Sequence, residues 1–194
     1  MESMPLPPPA PPQQKSYSFQ KLEAQYTKQD LKGEAFLCDL SCLTNDDYKE
    51  VYEPNDDTYL LIDSLNLESR NFLKEFKPKS VLEIGIGSSA VINSFKMMMA
   101  RDGTAEGVKF VGTDINSKAI ECANRVAEKN GNEGMIFLED QFGTSLSQQG
   151  ERFDVIIFNP PYVVTTKEEL IEAQEKKGIE ASCSGGEDGI EVLF

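Results

Sequence analysis

Histidine is absent from the 194-residue chain, and so is tryptophan. Without an imidazole, a Ser/His/Asp triad, a Cys/His pair, a His-ligated zinc site and a histidine proton shuttle are all excluded. Cysteine is scarce: the chain's 4 thiols are too few to staple a secreted scaffold. No charged-then-apolar signal segment opens the chain, so a reducing cytoplasm or nucleus is the expected compartment. Cys38 and Cys42 are spaced C-x₃-C, but no further Cys or His stands near enough to complete a zinc site. They read as ordinary thiols, and no metal is expected. Long hydrophobic runs are missing as well: a stretch such as Val155 to Phe158 falls far short of the ~20 residues a membrane span needs, so no membrane association is expected. Positive charge is in short supply, with Lys+Arg 19 against Asp+Glu 33 for a formal charge of -14. Such a surface repels phosphate backbones, and no Lys/Arg cluster offers them a track, which argues against non-specific nucleic-acid binding.

What is present divides unevenly. Prolines crowd into Pro5-Leu6-Pro7-Pro8-Pro9-Ala10-Pro11-Pro12, a composition that favours extended polyproline II, and residues 1–15 read as a disordered tail. Residues 16–50 form a helical or irregular lead-in, and residues 51–194 one domain. Within that domain Ser80 to Ile84 is a β-rich run ending in a glycine loop. Val91, Phe95, Met98 and Met99 then share one face of a helix. A second strand is predicted over Val108 to Thr113. The helix after it carries Ala119, Ala123, Val126 and Ala127 on one face and stops at Gly131. Further strands are predicted over Met135 to Leu138 and Phe153 to Phe158. Strand-helix alternation with continuous apolar strands predicts an α/β fold, a doubly wound, mostly parallel sheet with helices on both faces.

Three motifs stand at predicted strand ends. Glu83-Ile84-Gly85-Ile86-Gly87-Ser88 lets the backbone turn tightly and leaves no Cβ between the chain and a ligand lying over the sheet. Gly85-x-Gly87-x-x-Ala90 also satisfies the dinucleotide fingerprint, so this loop alone does not separate a nicotinamide dehydrogenase from other nucleoside-cofactor proteins. Asp114 closes the second strand, where a carboxylate can grip the vicinal hydroxyls of a ribose or, alternatively, cap the next helix. Asp140 lies on the same rim, able to accept from an adenine amino group or to serve as a plain surface aspartate.

The most specific motif is Asn159-Pro160-Pro161-Tyr162, immediately after the fourth strand. Proline fixes its own φ and pushes the preceding residue out of the helical region, so the Asn159 side-chain oxygen and the Pro160 carbonyl form a rigid fork. That fork can accept both hydrogens of a planar NH₂ group, with Tyr162 stacking on the flat substrate. An amide or exocyclic amine nitrogen shares its lone pair with the adjacent π-system and is a poor nucleophile. Acceptors that draw both hydrogens out of plane favour the tetrahedral, partly positive nitrogen of a transition state. No strong base is required, which suits a chain without histidine.

In this order, Glu83-x-Gly85-x-Gly87-Ser88, Asp114, Asp140 and Asn159-Pro160-Pro161-Tyr162 resemble the class I, Rossmann-like S-adenosylmethionine-dependent methyltransferases that modify planar NH₂ nitrogens. Tyr52-Glu53-Pro54-Asn55-Asp56-Asp57-Thr58-Tyr59-Leu60-Leu61, Val163-Val164-Thr165, Gly178-Ile179-Glu180-Ala181 and Gly185-Gly186 with Gly189 narrow the resemblance to the eukaryotic HemK-like glutamine methyltransferases, over about residues 50 to 194. The resemblance implies S-adenosylmethionine as cofactor. Its substrate would be the glutamine of the Gly-Gly-Gln loop in the class I translation termination factor, and its partner a small zinc-ribbon activator subunit. It places Thr58 and Glu83 by the methionine part of the cofactor, Gly85 and Gly87 beneath it, Asp114 at the ribose and Asp140 at the adenine. Asn159 and Pro160 would bind the glutamine amide as the catalytic pair, with Pro161 in the same loop and Tyr162 beside it. The family's usual third glycine is Ser89 here, and the family's further strands beyond the fourth are not found before Phe194, so a fragment lacking the C-terminal strands is expected.

Two alternatives stay open: an N6-adenine methyltransferase of DNA or RNA, and a catalytically impaired chain that binds cofactor or partner. Among smaller features, Tyr52 to Leu61 also reads as a helix start capped by Asn55 or Asp56, with Tyr59, Leu60 and Ile62 packing inward. The acidic run from Glu168 to Glu180 reads as a solvated helix face, and Gly185-Gly186-x-x-Gly189 as a plain loop before a last helix.

Overall fold

The computed structural model describes residues 36–193, so the proline-rich tail and the first part of the lead-in lie outside the described residues. Strands β1 (Ser80–Ile84), β2 (Lys109–Asp114), β3 (Ile136–Glu139) and β4 (Val155–Phe158) form one sheet in the order β3-β2-β1-β4. All three pairings are parallel, with Leu82 opposite Val111 on one side and Ile156 on the other. The helices are α1 (Asp56–Arg70), α2 (Phe72–Phe76), α3 (Ala90–Arg101), α4 (Ser117–Lys129), α5 (Thr144–Gln148) and α6 (Lys167–Lys176). The chain winds from β1 out to β3 and then returns to the opposite edge of β1. The loops leaving β1 and β4 therefore diverge, and an open sheet has its ligand crevice at such a switch point.

Alternation along the strands builds a core on each face, as the doubly wound reading predicts. Val81, Phe110 and Ile157 join the larger core with α3 and α4, whose stripes Val91, Phe95, Met98 and Met99, and Ala119, Ala123, Val126 and Ala127, are all buried. Phe95 meets Phe110 edge-on at 6.4 Å. The opposite face holds a smaller cluster of Leu82, Val111 and Leu146, the last from α5. That cover does not extend over β4: Ile157 is buried, whereas Ile156 on the other face is 61% exposed, so the strand is not apolar-buried throughout as predicted.

Helix α1 begins at the Asn55 cap, in a reciprocal capping box with Thr58. This start sets its phase. Thr58, Ile62, Asn66 and Ser69 face inward, while Tyr59 and Leu60 stand on the outer face, a correction to the expectation that they pack beside Ile62. The inward polar groups are satisfied: Arg101 donates to the Asn66 side-chain oxygen at 2.9 Å, and the Ser69 hydroxyl donates to Asp102 at 2.9 Å. In the described part of the lead-in, Cys38 and Leu43 reach the larger core, and buried Asp47 pairs with Arg125 of α4. Burial pushes the Cys38 thiol up to about 11, and all 4 cysteines are free.

Helix α2 ends at exposed Lys77, whose φ of 52° lies in the left-handed region that glycine tolerates best. Lys77→Gly is expected to raise the unfolding free energy by about 1 kcal/mol or somewhat less, because the relieved strain exceeds the added freedom of the unfolded chain. A urea melt measures it.

Candidate active site

The loop after β1 turns through Gly85 and Gly87, at φ 69° and 48°. Asp114, the last residue of β2, fastens this loop from the side. One carboxylate oxygen accepts from the Gly87 amide at 2.9 Å, and the other from the Asn116 amide at 2.9 Å. The helix cap of α4 is Asn116, whose side chain accepts from the Lys118 amide at 2.9 Å, so the capping role left open for Asp114 falls to its neighbour. Burial raises the Asp114 carboxyl, and the amides of Asn116, Gly87 and Ile115 oppose that rise.

Glu83 is buried on β1 and accepts from the Ile92 amide of α3 at 2.8 Å. Burial, reinforced by the charge of Asp114, pushes its carboxyl well above the ordinary glutamate range. Ser89, in place of a third glycine, keeps a left-handed φ of 59°. It is held there by Asn93, whose side-chain NH₂ donates to the Ser89 hydroxyl oxygen at 2.8 Å and to its carbonyl at 3.1 Å. Asn93, fully buried though it stands outside the apolar stripe of its helix, carries a role that the sequence did not announce. On the rim, both Asp140 oxygens accept from the Ser145 amide at 3.1 Å, and one also accepts from the Ser145 hydroxyl at 2.7 Å. Its carboxylate is thus turned toward the first turn of α5.

After β4, Asn159 donates its side-chain NH₂ to Asp57 at 3.0 Å, and the Tyr162 hydroxyl donates to the same carboxylate oxygen at 3.2 Å. The other Asp57 oxygen accepts from the Thr58 amide at 2.7 Å and the Tyr52 hydroxyl at 3.2 Å. Burial pushes the Asp57 carboxyl up. The bonds from Asn159, Thr58, Tyr162 and Tyr52 outweigh it and hold the group below the usual range. Burial, with the charge and hydrogen bond of Asp57, pushes the Tyr52 phenol up to about 12. Asp57 and Tyr52 stand in the segment that carries the family resemblance, but the sequence assigned neither a role in the site. An acidic residue in a first helical turn is ordinary, and only the fold brings it to a loop from the far end of the domain.

A strap completes this corner. The Val163 amide donates to the Cys183 carbonyl at 2.9 Å, Gly185 to the Val163 carbonyl at 2.8 Å, and Thr165 to the Gly186 carbonyl at 3.0 Å. A Cβ at Gly189, where φ is 70°, would stand 2.7 Å from the Tyr162 carbonyl oxygen. The segment predicted as a plain loop is therefore a main-chain clamp on the loop after β4. Among the described residues it leads into a short 3-10 turn, Glu191–Leu193, rather than the expected helix. The acidic run does form a solvated helix: α6 buries only Leu170 and Ala173.

The fold collects all of the sequence-derived positions into one cleft of about 190 Å³: Thr58, Glu83, Gly85, Gly87, Asp114 and Asp140 share it with the whole Asn159 to Tyr162 loop. Asp57 and Tyr52 line it too. Glu83 and Asp114 line it from β1 and β2 beside the Gly85 to Gly87 loop, and Asn159, Pro160 and the exposed Tyr162 line it from the loop after β4, next to Asp57.

Comparison with known proteins bears on this cleft. The model of the RMKL-like, methyltransferase domain family matches residues 67–174, more than half of the chain. The chain belongs to that methyltransferase family. This methyltransferase domain is also 34% identical over 146 residues to "Putative protein N5-glutamine methyltransferase MJ0928" of Methanocaldococcus jannaschii, covering 75% of this chain and 62% of that one. It is 33% identical over 146 residues to "Methyltransferase HEMK2" of Mus musculus, covering 75% and 63%. It is 30% identical over 154 residues to "eRF1 methyltransferase catalytic subunit mtq2" of Schizosaccharomyces pombe, covering 75% and 64%. The matched region thus spans a little under two thirds of each relative's length.

Proposed function

We propose that the methyltransferase domain methylates a planar NH₂ nitrogen, namely the N5 of the glutamine in the Gly-Gly-Gln loop of the class I translation termination factor, with S-adenosylmethionine as donor. The observation that carries this reading is the Asn159 side chain. Its NH₂ donates to Asp57, which leaves its oxygen as the end able to accept, and Asn159 and Pro160 both line the cleft.

The cofactor reading is supported by Glu83, a buried carboxylate lining the cleft, whose desolvation a cationic ligand offsets. Glu83 and Thr58 would hold the methionine part, Gly85 and Gly87 would let it lie against the backbone, and Asp114 would take the ribose. Asp140, already bonded to Ser145, would meet the adenine edge only through capacity its carboxylate keeps beyond those bonds. When bound, the cofactor supplies an electrophilic methyl group on a sulfonium. The protein's own part is orientation: Asn159 and Pro160 accept the two amide hydrogens, Tyr162 flanks the amide plane, and the acceptors favour the nitrogen as it becomes tetrahedral. With the ionised Asp57 fully engaged and no histidine in the chain, the proton leaves to solvent after transfer.

The names of the relatives, among them an N5-glutamine methyltransferase and an eRF1 methyltransferase catalytic subunit, support the same substrate. A cytoplasmic or nuclear site of action belongs to the proposal. A small zinc-ribbon activator subunit belongs to this proposal. With that subunit and cofactor labelled at the methyl group, the protein is expected to label the termination factor on the Gly-Gly-Gln glutamine. Label that survives a Gln→Ala change there, or equal transfer to an adenine oligonucleotide, overturns the reading.

A further inference from the structure

An asparagine amide is nearly symmetric in shape but opposite at its ends, a donor NH₂ and an acceptor oxygen. A methyl-accepting NH₂ can be held only by the oxygen. Nothing in Asn159 or its prolines decides which end faces the cleft, because proline restrains the backbone and leaves the side-chain amide free to turn over. The choice is made from α1. Asp57 presents an acceptor 3.0 Å from the Asn159 amide nitrogen. The reversed amide would set oxygen against carboxylate oxygen at that distance, an acceptor-to-acceptor contact.

We propose that Asp57 is the positioning residue that sets the Asn159 amide with its oxygen toward the substrate, and so makes the cleft selective for hydrogen-bond donors such as an NH₂ over groups that only accept, such as a carbonyl. The proposal rests on the methyl-transfer reading above. Asp57 is suited to the role because it is itself held on every side. The Thr58 amide and Tyr52 hydroxyl fix one oxygen, and the Tyr162 hydroxyl shares the other. The charged group is Asp57 itself, and the groups that face it are neutral donors, so it stays an acceptor without being drawn into an ion pair. The same contacts couple the amide to the Tyr162 ring, so one carboxylate aligns both the fork and the aromatic wall.

A double-mutant cycle tests this in the full-length protein with its activator, using a peptide that carries Gly-Gly-Gln. Asp57→Ala is expected to lower kcat roughly 10- to 100-fold with cofactor affinity unchanged by calorimetry, and to cost several-fold less than that in an Asn159→Ala background, where only its contact with Tyr162 is left to lose. Equal losses in both backgrounds overturn the proposal. Asp57→Asn, which keeps the shape, should lose kcat as well, because an amide there no longer dictates which end of Asn159 faces it. Full activity in that variant also overturns the proposal. A measurement independent of turnover separates this proposal from the functional reading: the side-chain NH₂ resonances of Asn159 in a ¹⁵N-labelled protein should shift strongly in both variants. Unmoved resonances overturn the positioning role. A wild-type protein that fails to methylate the peptide removes the functional reading instead, and the resonances still decide the role of Asp57.

Discussion

Replacing Asn159 with alanine is expected to lower the rate constant for methyl transfer by about 10²–10³ while leaving the affinity for S-adenosylmethionine within about twofold. The asymmetry follows from where the side chain stands. Asn159 follows β4 and donates to Asp57, where the proposal puts the accepting nitrogen, whereas Glu83 on β1 and Asp114 on β2 flank the glycine loop. Deleting its oxygen removes one of two acceptors that strengthen as the nitrogen turns tetrahedral, so the loss falls on kcat rather than on binding. Single-turnover label transfer with saturating peptide measures the step, and calorimetry measures the cofactor. Unchanged turnover would remove the fork from the mechanism. A loss confined to cofactor affinity would move Asn159 to the cofactor's part of the site.

Glu83→Gln is expected to weaken cofactor binding at least ~10-fold, about 1.4 kcal/mol or more, and at the same time to raise the melting temperature of the free protein at neutral pH. Both effects come from one buried carboxyl. Burial, with Asp114 nearby, holds it well above its value in the unfolded chain. The free protein therefore keeps its full stability only below the unfolded-state value and loses some as pH rises through the folded one. The glutamine removes that loss and can still accept from the Ile92 amide through its oxygen. A cationic ligand reverses the sign, because it favours the ionised carboxylate and lowers its proton affinity. Binding should release a proton, and affinity should rise with pH up to the raised value of Glu83 and level off above it. Calorimetry in buffers of differing ionisation enthalpy reads the proton directly, and the pH dependence should largely vanish in Glu83→Gln. A wild-type affinity that is flat with pH would show that Glu83 does not face the charge.

The features legible in the sequence were local ones. A strand followed at once by Gly85-x-Gly87, an aspartate closing the next strand and Asn159-Pro160-Pro161-Tyr162 after another each state a backbone conformation and a chemical group within a few residues, and parallel topology carries all three to the same sheet end. What stayed hidden depends on pairs far apart in the chain. Asp57 and Asn159 are separated by 102 residues, and no periodicity or turn rule links them. The strap is hidden for another reason. It fastens the loop by main-chain groups at Val163, Thr165, Gly185 and Gly186, and hydrogen bonds between peptide groups leave no mark on side-chain identity. The packing of α1 was misread because Tyr59 and Leu60 are large and apolar. The cap at Asn55 set a phase that turned them outward and put Thr58 and Asn66 inside. Asp140 lines the cleft as its rim position implied, while its bonds to Ser145 at the start of α5 were not legible in the sequence.

The tether of two phenols to one carboxylate gives this protein a built-in optical reporter. A chain with 6 tyrosines and no tryptophan emits through tyrosine alone, and a tyrosine whose hydroxyl leans on a carboxylate loses excitation to that acceptor. Freeing both phenols, as in Asp57→Ala, should therefore brighten the ultraviolet emission without any added dye, so that the state of this tether can be followed by light.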